Sequence, residues 1–210
     1  MHPNVVAALR LMLVTDDALL GARDPVAVCR AAVRGGVTSV QLRLKLMGPG
    51  ELTTLARHLI ESLDVPVLIN DRADVAIAAK AAGVHLGPDD VPVRLLRRIA
   101  PAGFLIGASV GSTSEAELGR EADYWGVGPW RTTGTKADAG PPLGSEGLGR
   151  IAALGKGRPC LAIGGVRVSD VLEIHRSGAT GIAVISGILT APDVEAAARQ
   201  YRTALDLALR

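Results

Sequence analysis

The sequence has few aromatic residues, few cysteines and almost no excess of one charge. Two Trp, two Tyr and one Phe make up 2% of the 210 residues, too few to form a platform on which single-stranded nucleic acid stacks its bases. The 23 Lys and Arg residues nearly balance the 21 Asp and Glu residues, so no polyelectrolyte partner is implied. Nucleic acid is therefore not an expected partner.

Long apolar runs and signal-like segments are also missing. The longest apolar stretches stop well short of the roughly 20 residues that cross a bilayer, so neither a transmembrane helix nor a membrane partner is expected. The first residues lack a basic segment followed by an apolar one, and Cys29 and Cys160 lie far apart within apolar runs. We therefore expect a cytoplasmic protein whose cysteines are reduced, buried and not catalytic.

What the sequence does contain is a repeated pattern of hydrophobic residues, which form 48% of the chain. Short runs typical of buried strands alternate with longer segments whose apolar residues recur at helical spacing. Eight strands are predicted at 11–15, 38–43, 67–70, 83–86, 105–109, 124–128, 160–164 and 181–185. Helices are predicted at 25–34, 50–63, 73–81, 92–100, 114–121, 147–154, 169–177 and 194–209. Eight such units predict an α/β protein with a single (β/α)₈ TIM barrel domain over residues 1–210.

Signals for helix starts support this division of the chain. Asp24 precedes Pro25, Ser114 lies three residues before Glu117, and Asp193 precedes the last predicted helix. The alternative architecture is an open doubly wound sheet. It is disfavoured because no G-x-G-x-x-G motif follows the first predicted strand.

In a barrel of this kind the chemistry lies at the carboxyl ends of the strands. The second strand ends in a segment whose alternation places Gln41, Arg43 and Lys45 on one side and Leu42 and Leu44 on the other. Two cations and an amide on one face favour an anion site over an ordinary solvated strand end.

Acidic residues follow the next two strands. Asn70 and Asp71 end the third strand, and Asp90 lies in the turn after the fourth. Carboxylates brought together at one rim repel each other unless a cation lies between them, and Mg²⁺ takes one or two carboxylates together with water and phosphate oxygens. These residues predict a Mg²⁺–diphosphate site, and the alternative is that each aspartate caps the helix after it. For His85 the alternatives are a ligand contact and a packed histidine that donates to backbone, and the second is favoured.

The longest irregular segment follows the sixth strand, at 128–136, and continues to residue 147. Thr133, Thr135 and Lys136 lie on it next to Gly134. Hydroxyls and a lysine on a loop that contains glycine are suited to wrapping phosphate oxygens after a substrate enters, so a lid is predicted here.

Small residues occur at the ends of the last two strands. Gly164 and Gly165 follow the seventh strand, and Ile185, Ser186 and Gly187 follow the eighth. Small side chains allow backbone N–H groups to approach an anion, and this fold often binds phosphate in these two loops. One rim is therefore expected to hold a monophosphate site and a Mg²⁺ site, where two phosphorylated small molecules can meet.

Taken in order along nearly the whole chain, these motifs resemble the thiamine-phosphate synthase family. The segments that carry the resemblance are Gln41-Leu42-Arg43-x-Lys45, Ile69-Asn70-Asp71-Arg72, Gly83-Val84-His85-Leu86-Gly87, Gly107-Ala108-Ser109, Gly128-Pro129, Thr133-x-Thr135-Lys136, Ala162-Ile163-Gly164-Gly165 and Val184-Ile185-Ser186. The resemblance implies a barrel enzyme that joins 4-amino-2-methyl-5-hydroxymethylpyrimidine diphosphate to 4-methyl-5-(2-phosphoethyl)thiazole. The products are thiamine phosphate and diphosphate, and the implied route is a dissociative, Mg²⁺-dependent substitution.

The resemblance also implies roles for the matching residues. Those that match the family's diphosphate contacts are Arg43, Lys45, Asn70 and Lys136, and those that match its metal ligands are Asp71 and Asp90. Gln41 and Ser109 match pyrimidine contacts. The thiazole phosphate would be held by Thr133, Thr135, Gly165, Ile185 and Ser186. Arg43, Lys45, Ser109 and Lys136 are the residues implied to be catalytic, and the family's barrels are often homo-oligomeric.

Four positions depart from the family's usual residues. Leu44 replaces an acidic residue, Thr132 a proline, Arg131 an aromatic residue and Met12 a tyrosine. These changes would alter the pyrimidine pocket and the lid.

Three alternative functions remain open for the same barrel. The first is that of the paralogous thiazole tautomerase, whose catalytic histidine would follow Ser109, where this chain has Val110 and Gly111. The second is an isomerase using Asp71 and His85 as an acid–base pair. The third is a non-catalytic phosphate-binding sensor.

Overall fold

Eight parallel strands close into one barrel in the computed structural model, which describes residues 3–132, 134 and 140–209. The strands are β1 Leu11–Val14, β2 Ser39–Leu42, β3 Val67–Asn70, β4 Gly83–Leu86, β5 Leu105–Val110, β6 Tyr124–Val127, β7 Cys160–Ile163 and β8 Gly181–Val184. Each predicted strand is confirmed to within one residue at either end. Because β8 pairs with β1, the sheet has no open edge, and the doubly wound alternative is wrong.

Helices follow the strands around the barrel, except the first helix, which precedes β1. They are α1 Pro3–Ala8, α2 Asp17–Leu20, α3 Pro25–Arg34, α4 Pro49–Ser62, α5 Ala73–Ala79, α6 Val93–Arg97, α7 Thr113–Leu118, α8 Gly144–Leu154, α9 Val171–Arg176, α10 Ser186–Leu189 and α11 Val194–Ala208. A 3₁₀ turn at Val168–Asp170 precedes α9. The eight predicted helices are present, with ends that differ by up to three residues. The three short helices α1, α2 and α10 were not predicted, because helical periodicity needs a longer segment to be visible.

Side chains cap the starts of four helices, and the first of these, Asp16, accepts a hydrogen bond from the N–H of Leu19 in α2. Asp24 accepts hydrogen bonds from two backbone N–H groups at the start of α3, and Asp193 accepts one at the start of α11, as predicted. The prediction for α7 is wrong by two residues, since its cap is Ser112, whose hydroxyl accepts from the N–H of Glu115. The pattern of a hydroxyl residue followed by an acidic one occurs twice in this segment, so spacing alone did not distinguish the two.

Alternation along the strands produces two separate cores. One lies between the strands and the helices, and the other fills the barrel with Leu9, Met12, Val14, Leu68, Tyr124, Leu161 and Ala183. Tyr124 and Trp125 illustrate the division, because these neighbours on β6 are both buried but belong to different cores. The interior of the barrel is thus packed up to the level at which the strands end.

The structure bears on two of the sequence-based expectations in the described part of the chain, those for membrane spans and for the burial of the cysteines. None of its helices combines the length and the apolar character needed to cross a membrane. Cys29 and Cys160 are buried and form no disulfide with each other. Burial raises the pKa of Cys29 to about 12 and that of Cys160 to about 11, so both thiols stay protonated at neutral pH.

Candidate functional site

A cavity of about 560 Å³ opens at the carboxyl ends of the strands, at the centre of the barrel mouth. Eight of the residues predicted for the site line this cavity: Gln41, Arg43, Lys45, Asn70, Asp71, Asp90, Ser109 and Ile185. Because β2, β3, β4, β5 and β8 all end at this rim, residues that are distant in the sequence become neighbours. The cavity therefore contains both groups expected to meet there, the cations and the carboxylates.

The segment at the end of β2 has the predicted alternation. Gln41, Arg43 and Lys45 line the cavity, whereas Leu42 and Leu44 are buried in the core beneath the helices. Leu44, which departs from the family's usual acidic residue, therefore faces away from the site.

A cluster of polar residues directly after β1 holds this segment in place. The Asp16 carboxylate accepts a hydrogen bond from the Arg43 guanidinium at 2.8 Å. The Thr15 hydroxyl accepts from the backbone N–H of Arg43 at 2.7 Å, and Asp17 accepts from the backbone N–H of Lys45 at 2.8 Å. Our sequence analysis missed this cluster. Its signal was present, because three successive polar residues follow the first strand at the functional end of the barrel.

Two carboxylates and a lysine meet between β3 and β4. The Lys45 Nζ lies 3.3 Å from Asp71 Oδ2, and the Asp90 carboxylate accepts a hydrogen bond from the N–H of Gly87 at 2.6 Å. Burial raises the pKa of Asp90, and the adjacent Asp71 carboxyl adds to that rise against the lowering effects of the Gly87 N–H and Lys45. A cation between the two carboxylates would relieve this cost.

The alternative role for these aspartates, as helix caps, is wrong. Helix α5 begins after Arg72 and α6 begins after Pro92, and within the described residues neither start receives a hydrogen bond from a capping side chain. Asp71 instead adopts a left-handed backbone conformation with φ of 60°. A non-glycine residue seldom adopts this conformation, and such residues are concentrated at functional sites.

His85 lies at the floor of the cavity, with both ring nitrogens next to side-chain hydroxyls. Its Nδ1 is 3.1 Å from Tyr124 Oη, and its Nε2 is 3.1 Å from Ser109 Oγ. The expectation that these nitrogens donate to backbone is therefore wrong. Its partners lie 24 and 39 residues away, and only the register of β4, β5 and β6 brings the three side chains together.

A narrow niche of about 20 Å³ lies between the ends of β7 and β8. Gly165 and Ser186 line it, and so do Gly164 and Ile185, which also line the central cavity. Gly164 and Gly165 have φ of 91° and 66°, a conformation that glycine adopts without steric strain. Helix α10 begins at Ser186, so a short extra helix starts beside the niche, as in the phosphate sites of this fold.

Hydrogen bonds connect the first residues of the predicted lid to the end of β7 and to the residue after it. The N–H groups of Trp130 and Arg131 donate to the carbonyls of Ile163 and Gly164 at 2.7 and 2.9 Å. The Arg131 guanidinium also donates to both oxygens of the buried Asp170 carboxylate, at 2.9 and 2.5 Å, which lowers the pKa of Asp170. Thr133, Thr135 and Lys136 lie outside the described residues, so the lid and their roles stay predictions.

Comparisons with known proteins agree on one family. The family model of thiamine monophosphate synthase matches residues 11–188. The thiamine-phosphate synthase of Methanospirillum hungatei is 41% identical over 196 residues, which is 91% of this chain and 95% of the relative. That of Chloroflexus aurantiacus is 44% identical over 198 residues, 92% of this chain and 91% of the relative.

A solved structure shows the same likeness in three dimensions. The thiamine phosphate pyrophosphorylase of Pyrococcus furiosus superposes with a TM-score of 0.87 at 34% identity, covering 98% of this chain and all of that one (100%). Together with the sequence match over most of the barrel, this places the chain in the thiamine monophosphate synthase family.

Proposed function

We propose that this protein is a thiamine-phosphate synthase, a transferase that joins the pyrimidine diphosphate to the thiazole phosphate and releases diphosphate. The observation that carries the proposal is the continuity of the two candidate anion sites. Arg43, Lys45 and the two aspartates line a cavity that shares Gly164 and Ile185 with the glycine niche. A diphosphate ester and a phosphate monoester bound in these places would bring their organic ends together between them.

Asp71 and Asp90 suit Mg²⁺ better than a metal that needs a complete protein cage. Within the described residues, no cluster of three or more His, Cys, Asp or Glu side chains is placed to hold a metal. Two carboxylates are what Mg²⁺ typically takes from a protein when phosphate oxygens and water complete its octahedron. When bound there, Mg²⁺ would neutralise charge that develops on the departing diphosphate.

The charged and polar side chains of this site would stabilise the diphosphate as it leaves. Arg43, Lys45 and Asn70, with Lys136, would hold the diphosphate oxygens while the bond between the pyrimidine methylene carbon and oxygen breaks. The diphosphate leaves with the electron pair, and the thiazole nitrogen then supplies the pair that forms the new carbon–nitrogen bond. Fixed cations lower the barrier of such a step because they stabilise charge where it accumulates.

The pocket and niche would place the two reacting ends. Gln41 and Ser109 line the cavity and would contact the pyrimidine ring. Gly165, Ile185 and Ser186, with Thr133 and Thr135, would hold the thiazole phosphate. Holding both partners converts an encounter of two molecules into a step within one complex, which accounts for much of the rate that enzymes achieve.

The test is to incubate the purified protein with the pyrimidine diphosphate, the thiazole phosphate and Mg²⁺, with and without a chelator, and to follow thiamine phosphate. We expect product with Mg²⁺ and none with excess chelator. Product that is unaffected by the chelator would overturn the metal assignment. If no product forms but calorimetry still detects binding of the thiazole phosphate, the synthase proposal is wrong, and the tautomerase or sensor functions should be assayed next.

A further inference from the structure

Three side chains form a hydrogen-bonded chain from the buried interior of the barrel to the cavity. Tyr124 is 1% exposed, His85 is 7% exposed, and Ser109 is half-buried at the cavity wall. Tyr124 Oη and Ser109 Oγ each lie 3.1 Å from a different nitrogen of the His85 ring. The histidine therefore links a buried phenol to the hydroxyl that faces the substrate.

Two glycines provide the space that this chain occupies. A Cβ atom at Gly107 would lie 2.2 Å from Cζ of Tyr124, and one at Gly126 would lie 2.9 Å from Cε1 of His85. Any larger residue on these inward positions of β5 and β6 would displace the tyrosine or the histidine. The arrangement is thus built into the barrel by residues on three adjacent strands, β4, β5 and β6.

The direction of the hydrogen bonds follows from the phenol. Burial raises the pKa of Tyr124, so its hydroxyl keeps its proton. Within the described residues, the hydrogen bond to His85 is the one contact that can take this proton, and donation to Nδ1 leaves the histidine proton on Nε2. A doubly protonated imidazole would also carry a proton on Nε2. In either state Nε2 donates to Ser109 Oγ, and the serine proton is left to point into the cavity.

We propose that Tyr124 and His85 are positioning residues that fix Ser109 as a hydrogen-bond donor, so that the site recognises the pyrimidine through an acceptor nitrogen of its ring. This inference rests on the proposed function, because it takes the pyrimidine diphosphate as the molecule that Ser109 meets. It goes further in stating which kind of atom the serine contacts. The exocyclic amino group, which donates hydrogen bonds, would not accept the proton of Ser109.

The experiment measures the affinity of the protein for four pyrimidine diphosphates by calorimetry, with Mg²⁺ and without the thiazole phosphate, so that no turnover is needed. They are the natural compound, the two analogues in which one ring nitrogen is replaced by CH, and the analogue without the amino group. We expect one CH analogue to bind about tenfold more weakly, the effect of one lost hydrogen bond. In Ser109→Ala this difference should disappear. In Tyr124→Phe it should fall to about threefold or less, because Nδ1 no longer accepts a hydrogen bond that keeps the histidine proton on Nε2.

Tyr201→Phe is the matched control, since it removes a second buried phenolic hydroxyl, which donates to the carbonyl of Val166 at 2.9 Å. The control should keep the tenfold discrimination against the CH analogue. If the tyrosine acts through the serine, the double variant Tyr124→Phe/Ser109→Ala should bind all four compounds as Ser109→Ala does, with no further change in affinity.

The opposite pattern would overturn the inference. That pattern is a Ser109→Ala variant that loses discrimination against the analogue without the amino group, while its preference for both ring nitrogens is unchanged. A Tyr124→Phe variant that still binds the CH analogue about tenfold more weakly than the natural compound would show that Tyr124 does not position Ser109. Failure of the proposed function would be seen separately, as absence of thiamine phosphate from the natural substrates with the unmodified protein.

Discussion

The two halves of the barrel mouth are built by different means. On the β2–β4 side, the site consists of charged side chains that hold one another, Arg43 with Asp16 and Lys45 with Asp71, beside Asp90. On the β7–β8 side, it consists of backbone shaped by Gly164 and Gly165. The first half depends on the charges of its side chains and, in the proposed function, on Mg²⁺, whereas the second depends on the conformation of the main chain. Each half can therefore be damaged without the other.

The largest effect is expected from removing a carboxylate on the charged side. Asp71→Asn should lower the rate of thiamine phosphate formation at least a hundredfold, because leaving-group stabilisation by a metal contributes several kcal/mol. Calorimetry should show unchanged binding of the thiazole phosphate. Asp74→Asn, which alters an exposed carboxylate paired with Arg72, is the control and should keep full activity. Equal loss of rate and of thiazole phosphate binding would contradict the separation of the two halves.

On the β7–β8 side of the barrel mouth, the addition of a single methyl group should weaken binding of the thiazole phosphate. Gly165→Ala places a side chain at φ of 66°, with its Cβ 2.9 Å from that of Arg131. We expect KM for the thiazole phosphate to rise about tenfold, from the cost of a left-handed residue, with an unchanged requirement for Mg²⁺.

Gly157→Ala imposes a similar conformation, φ of 88°, where a Cβ meets no atom within 4 Å. This control should lose thermal stability but keep its KM. If both variants raise KM equally, the effect of Gly165 is general strain and not a distorted niche.

A third variant tests the ion pair between Asp16 and Arg43, which holds Arg43 in the cavity wall on the charged side. Asp16→Asn removes the charge that holds Arg43, in an ion pair whose side chains are only 14% and 12% exposed. We expect KM for the pyrimidine diphosphate to rise about fivefold, which corresponds to about 1 kcal/mol, the contribution of one ordinary hydrogen bond. KM for the thiazole phosphate should not change. Glu146→Gln, in an exposed pair with Arg150, is the control, and a similar shift there would show that the pair at Arg43 has no special role.

The smallest effect is a dependence of metal binding on pH. Because the pKa of Asp90 is raised, a proton competes with Mg²⁺ for this carboxylate at a higher pH than at an ordinary aspartate. The concentration of Mg²⁺ that half-saturates activity should therefore increase as pH falls toward the raised pKa. Asp90→Asn should flatten this profile, and an unaltered profile would assign the pH dependence to another group.

The same shift affects stability in the absence of metal. A raised pKa in the folded state favours folding fully below the ordinary value of 3.8, and this contribution is lost as pH rises through the raised value. Added Mg²⁺ should then raise the melting temperature more at neutral pH than at pH 4. Equal shifts at both pH values would show that the carboxylates do not bind the ion.

The sequence predicts the fold closely because the alternation of strand and helix patterns repeats around the barrel. It also predicts the lining of the cavity, since strand ends converge in this architecture. It does not predict pairings across the barrel. Asp170 lies 39 residues from Arg131, and Tyr124 lies 39 residues from His85, so these contacts depend on strand register and loop conformation. The αL residue Lys80, which ends α5 earlier than predicted, is likewise set by tertiary context.

Because Gly107 lies so close to the Tyr124 ring, substitutions at these two positions are expected to depend on each other during evolution. A lineage cannot enlarge residue 107 while it keeps an aromatic ring at 124, because a methyl group at the first position would overlap the second. Among relatives, positions 107 and 124 should therefore either both be conserved or both be substituted. An engineer who wishes to reshape the floor of this barrel would need to treat them as one unit.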